Sequence, residues 1–267
     1  MTSAAALSLN VQTRGDGPRL VMLHGWALNS HVWDDIVEPL AARFTVARVD
    51  LPGHGDSPWP PRFDDLGSLA QALAPHLETS SIVVGWSLGS LAALQLALAH
   101  PAAVRALVLV AGTPRFLNDA HWRHGVDPDV LEEFAERLRQ DQEGTVRDFL
   151  ALQVRGDERA MQTLRTLRRR VLDSGSTHPA ALAAGLEVLK RADLRESLSS
   201  ISVPALVIAG EHDRLTPVEG SRELASGLRR ARFALVEQAA HAPFISHRDV
   251  FLREVEQFLA RLPAASA

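Results

Sequence analysis

The chain has 267 residues, 46% of them hydrophobic and 22% charged, which suits one large domain with a sizeable core and an insertion and rules out disorder, collagen and coiled coil. A net charge of −4 gives no global field toward nucleic acid or an anionic membrane. The absence of cysteine excludes disulfides, thiolate catalysis and zinc–thiolate sites.

The first 17 residues carry neither a basic leader nor a long apolar run, so no secretory signal is expected. No segment approaches the roughly 20 apolar residues of a membrane span. Apolar, β-branched runs recur at 19–25, 44–50, 81–85, 104–112, 204–210 and 232–238. They are continuous rather than alternating, as in strands buried on both faces of a parallel sheet. Helical patterns at 30–42, 66–77, 88–99, 218–228 and 247–262 lie between most of them or close the chain. This alternation predicts an α/β fold with a mostly parallel, doubly wound sheet and right-handed crossovers. Between 114 and 198 the rhythm changes to helical stretches near 128–142, 145–154, 157–173 and 179–191. The expected organisation is a core (1–113 and 199–267) interrupted by an all-helical cap (114–198) over the sheet's carboxyl edge, where ligands bind in open α/β folds. The tail, 263–267, is expected to be loose.

At the end of the run 81–85 stands Gly85-Trp86-Ser87-Leu88-Gly89, a G-x-S-x-G strand–turn–helix that projects a serine above a sheet. Glycine is favoured two residues either side of the serine because the turn brings backbones together. A small-residue turn without chemistry is the bland alternative. A serine hydroxyl needs a base, and this fold requires the order Ser, acid, His. Asp213 follows the run 204–210 and His241 follows 232–238, so both lie on the edge that holds Ser87. In those roles His241 takes the serine proton and Asp213 fixes the imidazole. Asp213 alone also reads as a helix cap, with Glu211 and His212 as polar competitors, and His241 alone as a core histidine. The oxyanion donors expected are the N–H groups of Leu88 and of Trp26, the latter in the loop Leu23-His24-Gly25-Trp26, where Gly25 permits an unusual backbone and the indole shapes the pocket. The turn from Asp50 to Ser57 reads as structural, its glycines letting it pass close to the serine turn. His121-x-x-His124 has no supporting ligands, so neither metal nor cofactor is expected. Glu132, Glu133 and Glu136 read as a solvated helix face.

The segments LHGWALNSHVW (23–33), VDLPGHGDS (49–57), GWSLGS (85–90), FLALQ (149–153), GLEVLKRADLRESL (185–198) and AAHAPFISH (239–247) resemble the α/β-hydrolase superfamily. Within it the chain more closely resembles the biotin-pathway carboxylesterases that hydrolyse pimeloyl-acyl-carrier-protein methyl ester. The resemblance implies Ser87, Asp213 and His241 as catalytic triad, and Trp26 and Leu88 as oxyanion and substrate contacts. It also implies Phe149, Leu150, Ala151, Leu152 and Gln153 as the cap segment lining the acyl channel. The implied products are the free carboxylate on its carrier and methanol. The implied partner is an acyl-carrier protein, with Arg155, Arg159 and Arg165 as possible contacts; Gly144, Asp148 and Met161 stand where the family has carrier-gripping arginines. Six arginines lie between 155 and 170. Met161, Leu164, Leu167 and Val171 share one helical face there, and a basic steering surface or an ordinary solvated face explains the rest. A general short-chain esterase, an enol-lactonase, a carbon–carbon bond hydrolase and a receptor-like member of the fold remain alternatives. A cytoplasmic monomer is expected.

Overall fold

The computed structural model describes residues 8–60, 63, 65–172 and 177–263; the expectations for residues 1–7, the end of the helix 157–173 and the tail 264–267 fall outside them. Each continuous apolar run forms a strand: β2 (Arg19–Leu23), β3 (Thr45–Val49), β4 (Ser81–Trp86), β5 (Val104–Val110), β6 (Ala205–Gly210) and β7 (Ala231–Val236). These pair in parallel. An additional edge strand, β1 (Val11–Arg14), runs antiparallel to β3. Its four residues, two partly buried and two exposed, carry no apolar run, so only pairing makes it a strand.

Among the described residues the sheet order is β1-β3-β2-β4-β5-β6-β7. Side chains of successive strand residues enter different cores, because strand side chains alternate faces. Val21 and Leu23 join one apolar cluster with helices α2 (Leu66–Leu73), α3 (Leu88–Ala99) and α8 (Val218–Gly227). Leu20 and Met22 join the other, with α1 (Asp34–Ala41) and α10 (Arg248–Leu259). Burying apolar surface on both faces supplies the main folding drive. Helix α3 is buried nearly all round.

Strand connections run outward in opposite directions from β2 and β4, which are hydrogen-bonded neighbours. Such a reversal opens a crevice at the carboxyl ends of those strands. The segment between β5 and β6 holds α4 (Pro128–Gln140), α5 (Gln142–Leu152), α6 (Ala160–Leu172) and α7 (Pro179–Arg191). Isolated bridges such as Arg115↔Asp193 are the β-type pairings described in it. Asp127 accepts from the Asp129 N–H and His178 from the Ala180 N–H, while Pro128 and Pro179 open the helices they cap. A short helix, α9 (Pro243–Ser246), precedes α10.

Candidate active site

Ser87 sits at the seam of β4 and α3 with φ 56° and ψ −115°, a left-handed conformation that costs a non-glycine residue free energy. The glycines around it are required by packing. A Cβ on Gly85 would lie 2.2 Å from the Gly89 carbonyl oxygen, and one on Gly89 would lie 2.2 Å from that of Leu23. Leu88 and Gly89 open α3; Ser90 N–H turns back to the Ser87 carbonyl, while the N–H groups of Leu88 and Gly89, at the helix start, suit an anion at the seam.

Asp213, three residues past β6, and His241, five past β7, meet: Asp213 Oδ2 lies 2.8 Å from His241 Nδ1, and both are buried. The other carboxylate oxygen accepts from the N–H groups of Leu215 and Thr216 at 2.9 and 3.0 Å. The Thr216 hydroxyl lies 2.8 Å from Oδ2 and 3.0 Å from the Ala111 carbonyl. Glu211 and His212 point outward; Glu211 accepts from Gln238 N–H and His212 meets the Gly156 carbonyl. His241 is tied to the residue before Ser87, since the Trp86 indole N–H donates to the His241 carbonyl at 2.8 Å. Trp86 packs edge-on to Phe244, which packs on Trp33, so aromatic rings fill the space beneath the histidine loop.

The Trp26 loop follows β2. Gly25 is not in the left-handed region; Ala27 is, at φ 59°. The expectation of an unusual backbone at Gly25 is therefore corrected by one of close approach: a Cβ there would stand 3.4 Å from Ser87 Cβ. The Trp26 indole N–H donates to the Leu182 carbonyl of α7 at 2.8 Å, so this side chain joins the loop after β2 to α7. Behind the loop, His24 Nε2 accepts from Leu51 N–H, leaving Nδ1 to donate to the Gly25 carbonyl. Burial holds His24 below the ordinary histidine range. Burial acts to raise Asp50, but the neighbouring His24, the Asn10 side chain and the N–H groups of Ser30 and Asp56 outweigh it and hold its carboxyl low. The glycines of the 50–57 turn serve this network and the packing against α7 rather than the serine turn. Gly55 (φ 53°) clears the Asp50 carboxylate, which a Cβ would approach to 2.4 Å, and Gly53 clears Ala181 and Trp59.

Beside Trp26 a narrow apolar cavity of about 90 Å³ runs between Phe134, Phe149, Leu152, Leu186 and Leu189. Phe149 and Phe134 meet the indole edge-on at 4.9 and 5.5 Å. Of the segment 149–153, Phe149 and Leu152 line this cavity. Leu150 instead packs in the opposite core with Leu167 and Val171, and Ala151 is not on the cavity wall. These two placements, with that of Gln153, which is off the wall as well, correct the expected channel. Gln153 is fully buried, its carbonyl accepting from His241 N–H at 3.0 Å. Phe134, Leu186 and Leu189 were not singled out from the sequence; their i,i+3 and i,i+4 spacing with Leu131 and Leu182 was the available signal.

On the surface of the helical segment between β5 and β6, Arg155, Arg165, Arg168 and Arg169 are exposed and have no acidic partner among the described residues. Arg159 donates to the Ser246 carbonyl and pairs with Glu158. Arg170 departs from a surface role: it is buried, donates to the Val32 carbonyl and pairs with Asp35. Met161, placed on the buried face of α6 by its spacing, is 68% exposed, because that face runs through Ala160, Thr163, Leu164, Leu167 and Val171 and leaves Met161 to one side. Asp148 pairs with Arg137, and Gly144 leaves room for the Asp141 carboxylate that caps α5. Glu132, Glu133 and Glu136 are exposed. Among the described residues no group of three His, Asp or Glu is placed to hold a metal, and no helix is long and apolar enough to cross a membrane.

Residues 18–248 match the family described as alpha/beta hydrolase fold. The chain is 42% identical over 245 residues to the pimeloyl-[acyl-carrier protein] methyl ester esterase of Nitrosomonas europaea, covering 92% of this chain and 97% of that protein. It is 42% identical over 253 residues to the protein of the same name from Chromobacterium violaceum, covering 95% and 98%. Among solved structures, an esterase from Exiguobacterium antarcticum superposes with a TM-score of 0.86 at 22% identity, covering 94% of this chain and 95% of that one.

Proposed function

The chain belongs to the α/β-hydrolase fold family and, within it, to the pimeloyl-[acyl-carrier protein] methyl ester esterases, and from that premise we propose that Ser87, His241 and Asp213 act together to hydrolyse the methyl ester of a pimeloyl chain carried on acyl-carrier protein. His241 accepts the Ser87 proton as the hydroxyl oxygen attacks the ester carbonyl. The N–H groups of Leu88 and Trp26 receive the oxyanion. Collapse expels methanol, which takes the proton from His241 and leaves an acyl-serine. Water, deprotonated by the same imidazole, then releases the free carboxylate. Asp213 holds the Nδ1–H toward itself and stabilises the imidazolium.

The observation that carries the proposal is the 2.8 Å meeting of Asp213 and His241, from two separate strand ends, with His241 bonded to the residue preceding Ser87. The cavity between Trp26, Phe149 and Leu152 supports a slender apolar chain threading toward the serine, which would put the distal ester rather than the carrier thioester at the nucleophile. The exposed Arg155, Arg165, Arg168 and Arg169 support docking of an acidic carrier on the α6 side of residues 114–198, with Arg159 beside them. The enzyme is proposed to work in the cytoplasm as a monomer, in biotin synthesis.

The test is rescue of a biotin-requiring strain lacking its own esterase. Growth with the wild type and none with Ser87→Ala is expected, together with faster turnover of a pimeloyl methyl ester than of lactones or dienones. Equal rescue by Ser87→Ala would overturn the reaction proposed.

A further inference from the structure

The turn between α5 and α6 is fastened to the loop that carries His241. Gln153 O accepts from His241 N–H at 3.0 Å, and Glu158 N–H donates to Gln238 O at 3.1 Å. The Gly156 carbonyl meets the His212 ring 2.8 Å away, next to Asp213. Between these main-chain links lies one made by a buried side chain. Asp157 Oδ2 accepts from Ala240 N–H at 3.1 Å, and its Oδ1 accepts from Arg159 N–H at 2.7 Å. Asp157 is 7% exposed, and among the described residues no cation pairs with its carboxylate.

Hydrogen bonds to an ionised acceptor are stronger than neutral ones. The loop they hold leaves β7 through Gln238 in a left-handed conformation, φ 59°, which persists only where its surroundings enforce it. Ala240 is the residue before His241, so the peptide that Asp157 grips leads directly into the imidazole-bearing residue. Small displacements of a proton-transfer group cost large factors in rate.

We propose that Asp157 is a positioning residue: through the Ala240 N–H it sets the height of His241 between Ser87 and Asp213, making the cap turn part of the support for the base. The inference rests on the reading of His241 as the base.

Two substitutions separate this role from helix capping. Asp157→Asn keeps the shape but only one acceptor oxygen. Asp157→Ser retains an oxygen able to cap the start of α6 yet too short to reach Ala240. With p-nitrophenyl acetate as probe, both variants are expected to lose about tenfold or more in kcat with KM little changed. Both should also shift or broaden the low-field proton resonance of the His241 Nδ1–H. Melting temperature is measured alongside. Wild-type kcat and an unmoved resonance in a variant whose melting temperature has fallen would reduce Asp157 to a structural role and overturn the proposal. The resonance reports histidine placement whether or not Ser87 is the nucleophile, so failure of the triad reading is scored separately, by activity persisting in Ser87→Ala.

Discussion

Asp213 and His241 share a contact of 2.8 Å between Oδ2 and Nδ1, and the carboxylate's second oxygen is committed to two backbone N–H groups of its own turn. The acid can therefore rotate little, and the imidazole presents Nε2 away from it. Replacing Asp213 by Asn offers an amide donor where Nδ1–H now points. The ring then favours the tautomer with Nε2 protonated, which cannot accept the serine proton. A loss of about 10³–10⁴ in kcat is expected, with a melting temperature close to wild type. Steady-state kinetics on p-nitrophenyl acetate measure it; a loss below tenfold would mean that another group orients His241.

Ser87 stores strain that its hydroxyl makes worth keeping. Its φ of 56° with ψ of −115° is costly for any residue with a Cβ and cheap for glycine. Ser87→Gly should therefore be inactive yet more stable by about 1 kcal/mol, a rise of about 2–4 °C. Ser87→Ala should be equally inactive without that gain, because the Cβ remains. Paired thermal melts decide the matter: glycine and alanine variants melting together would show that the turn is unstrained.

Acid should destabilise the protein through two histidines behind the Trp26 loop. His54 is pushed down to about 3, chiefly by burial and secondarily by His24, against the opposing effects of the Pro52 carbonyl and Asp50. The unfolded chain binds its proton near pH 6.5, so between about 6.5 and 3 the unfolded state holds more protons than the folded one. Stability from this group is complete above about pH 6.5 and falls as pH drops, by at most about 1.4 kcal/mol per unit. His24, also lowered by burial, acts in the same direction. The depressed Asp50 contributes stability above the ordinary carboxylate range and loses it at lower pH. Melting temperature should be level near pH 7–8 and decline below about 6.5. His54→Asn, which keeps a donor for the Pro52 carbonyl, should show a shallower decline. A decline of unchanged steepness in that variant would remove His54 as its source.

Why did the sequence disclose so much of the sheet and less of the pocket? Strands such as Ser81–Trp86 are buried along their whole length, and burial on both faces leaves a continuous apolar signature. Gly85 and Gly89 were legible for a similar reason, since close backbone approach admits no substitute. The strand Val11–Arg14 was not legible because its order comes from pairing with Val46–Val49. The cavity wall was partly hidden because a lining residue and a core residue look alike in one helix: Phe149 meets Trp26 while its neighbour Leu150 joins the opposite core with Leu167. Periodicity marks the apolar stripe without saying which part meets substrate. The hold of Asp157 on Ala240 spans 83 positions, and no local pattern announces such a pairing.

Phe149 is where cavity shape should become substrate choice. Its ring stands nearly perpendicular to the Trp26 indole, 89° at 4.9 Å, and forms a wall of the cavity that Leu152 and Leu186 continue. Phe149→Ala removes that wall together with the edge-on contact. Truncation of a buried aromatic typically costs about 3–5 kcal/mol, less here because Phe149 is only partly buried. On the proposed path the acyl chain of a long ester would lose its apolar neighbour, whereas an acetyl group has no chain to lie along that wall. Accordingly kcat/KM for methyl pimelate derivatives should fall by about tenfold or more, corresponding to roughly 1.4 kcal/mol of lost apolar contact, while p-nitrophenyl acetate turnover should change by less than about threefold. A parallel fall for both esters would place Phe149 in support of the reacting centre rather than of the chain. An unchanged ratio with full activity on both would move the acyl path elsewhere.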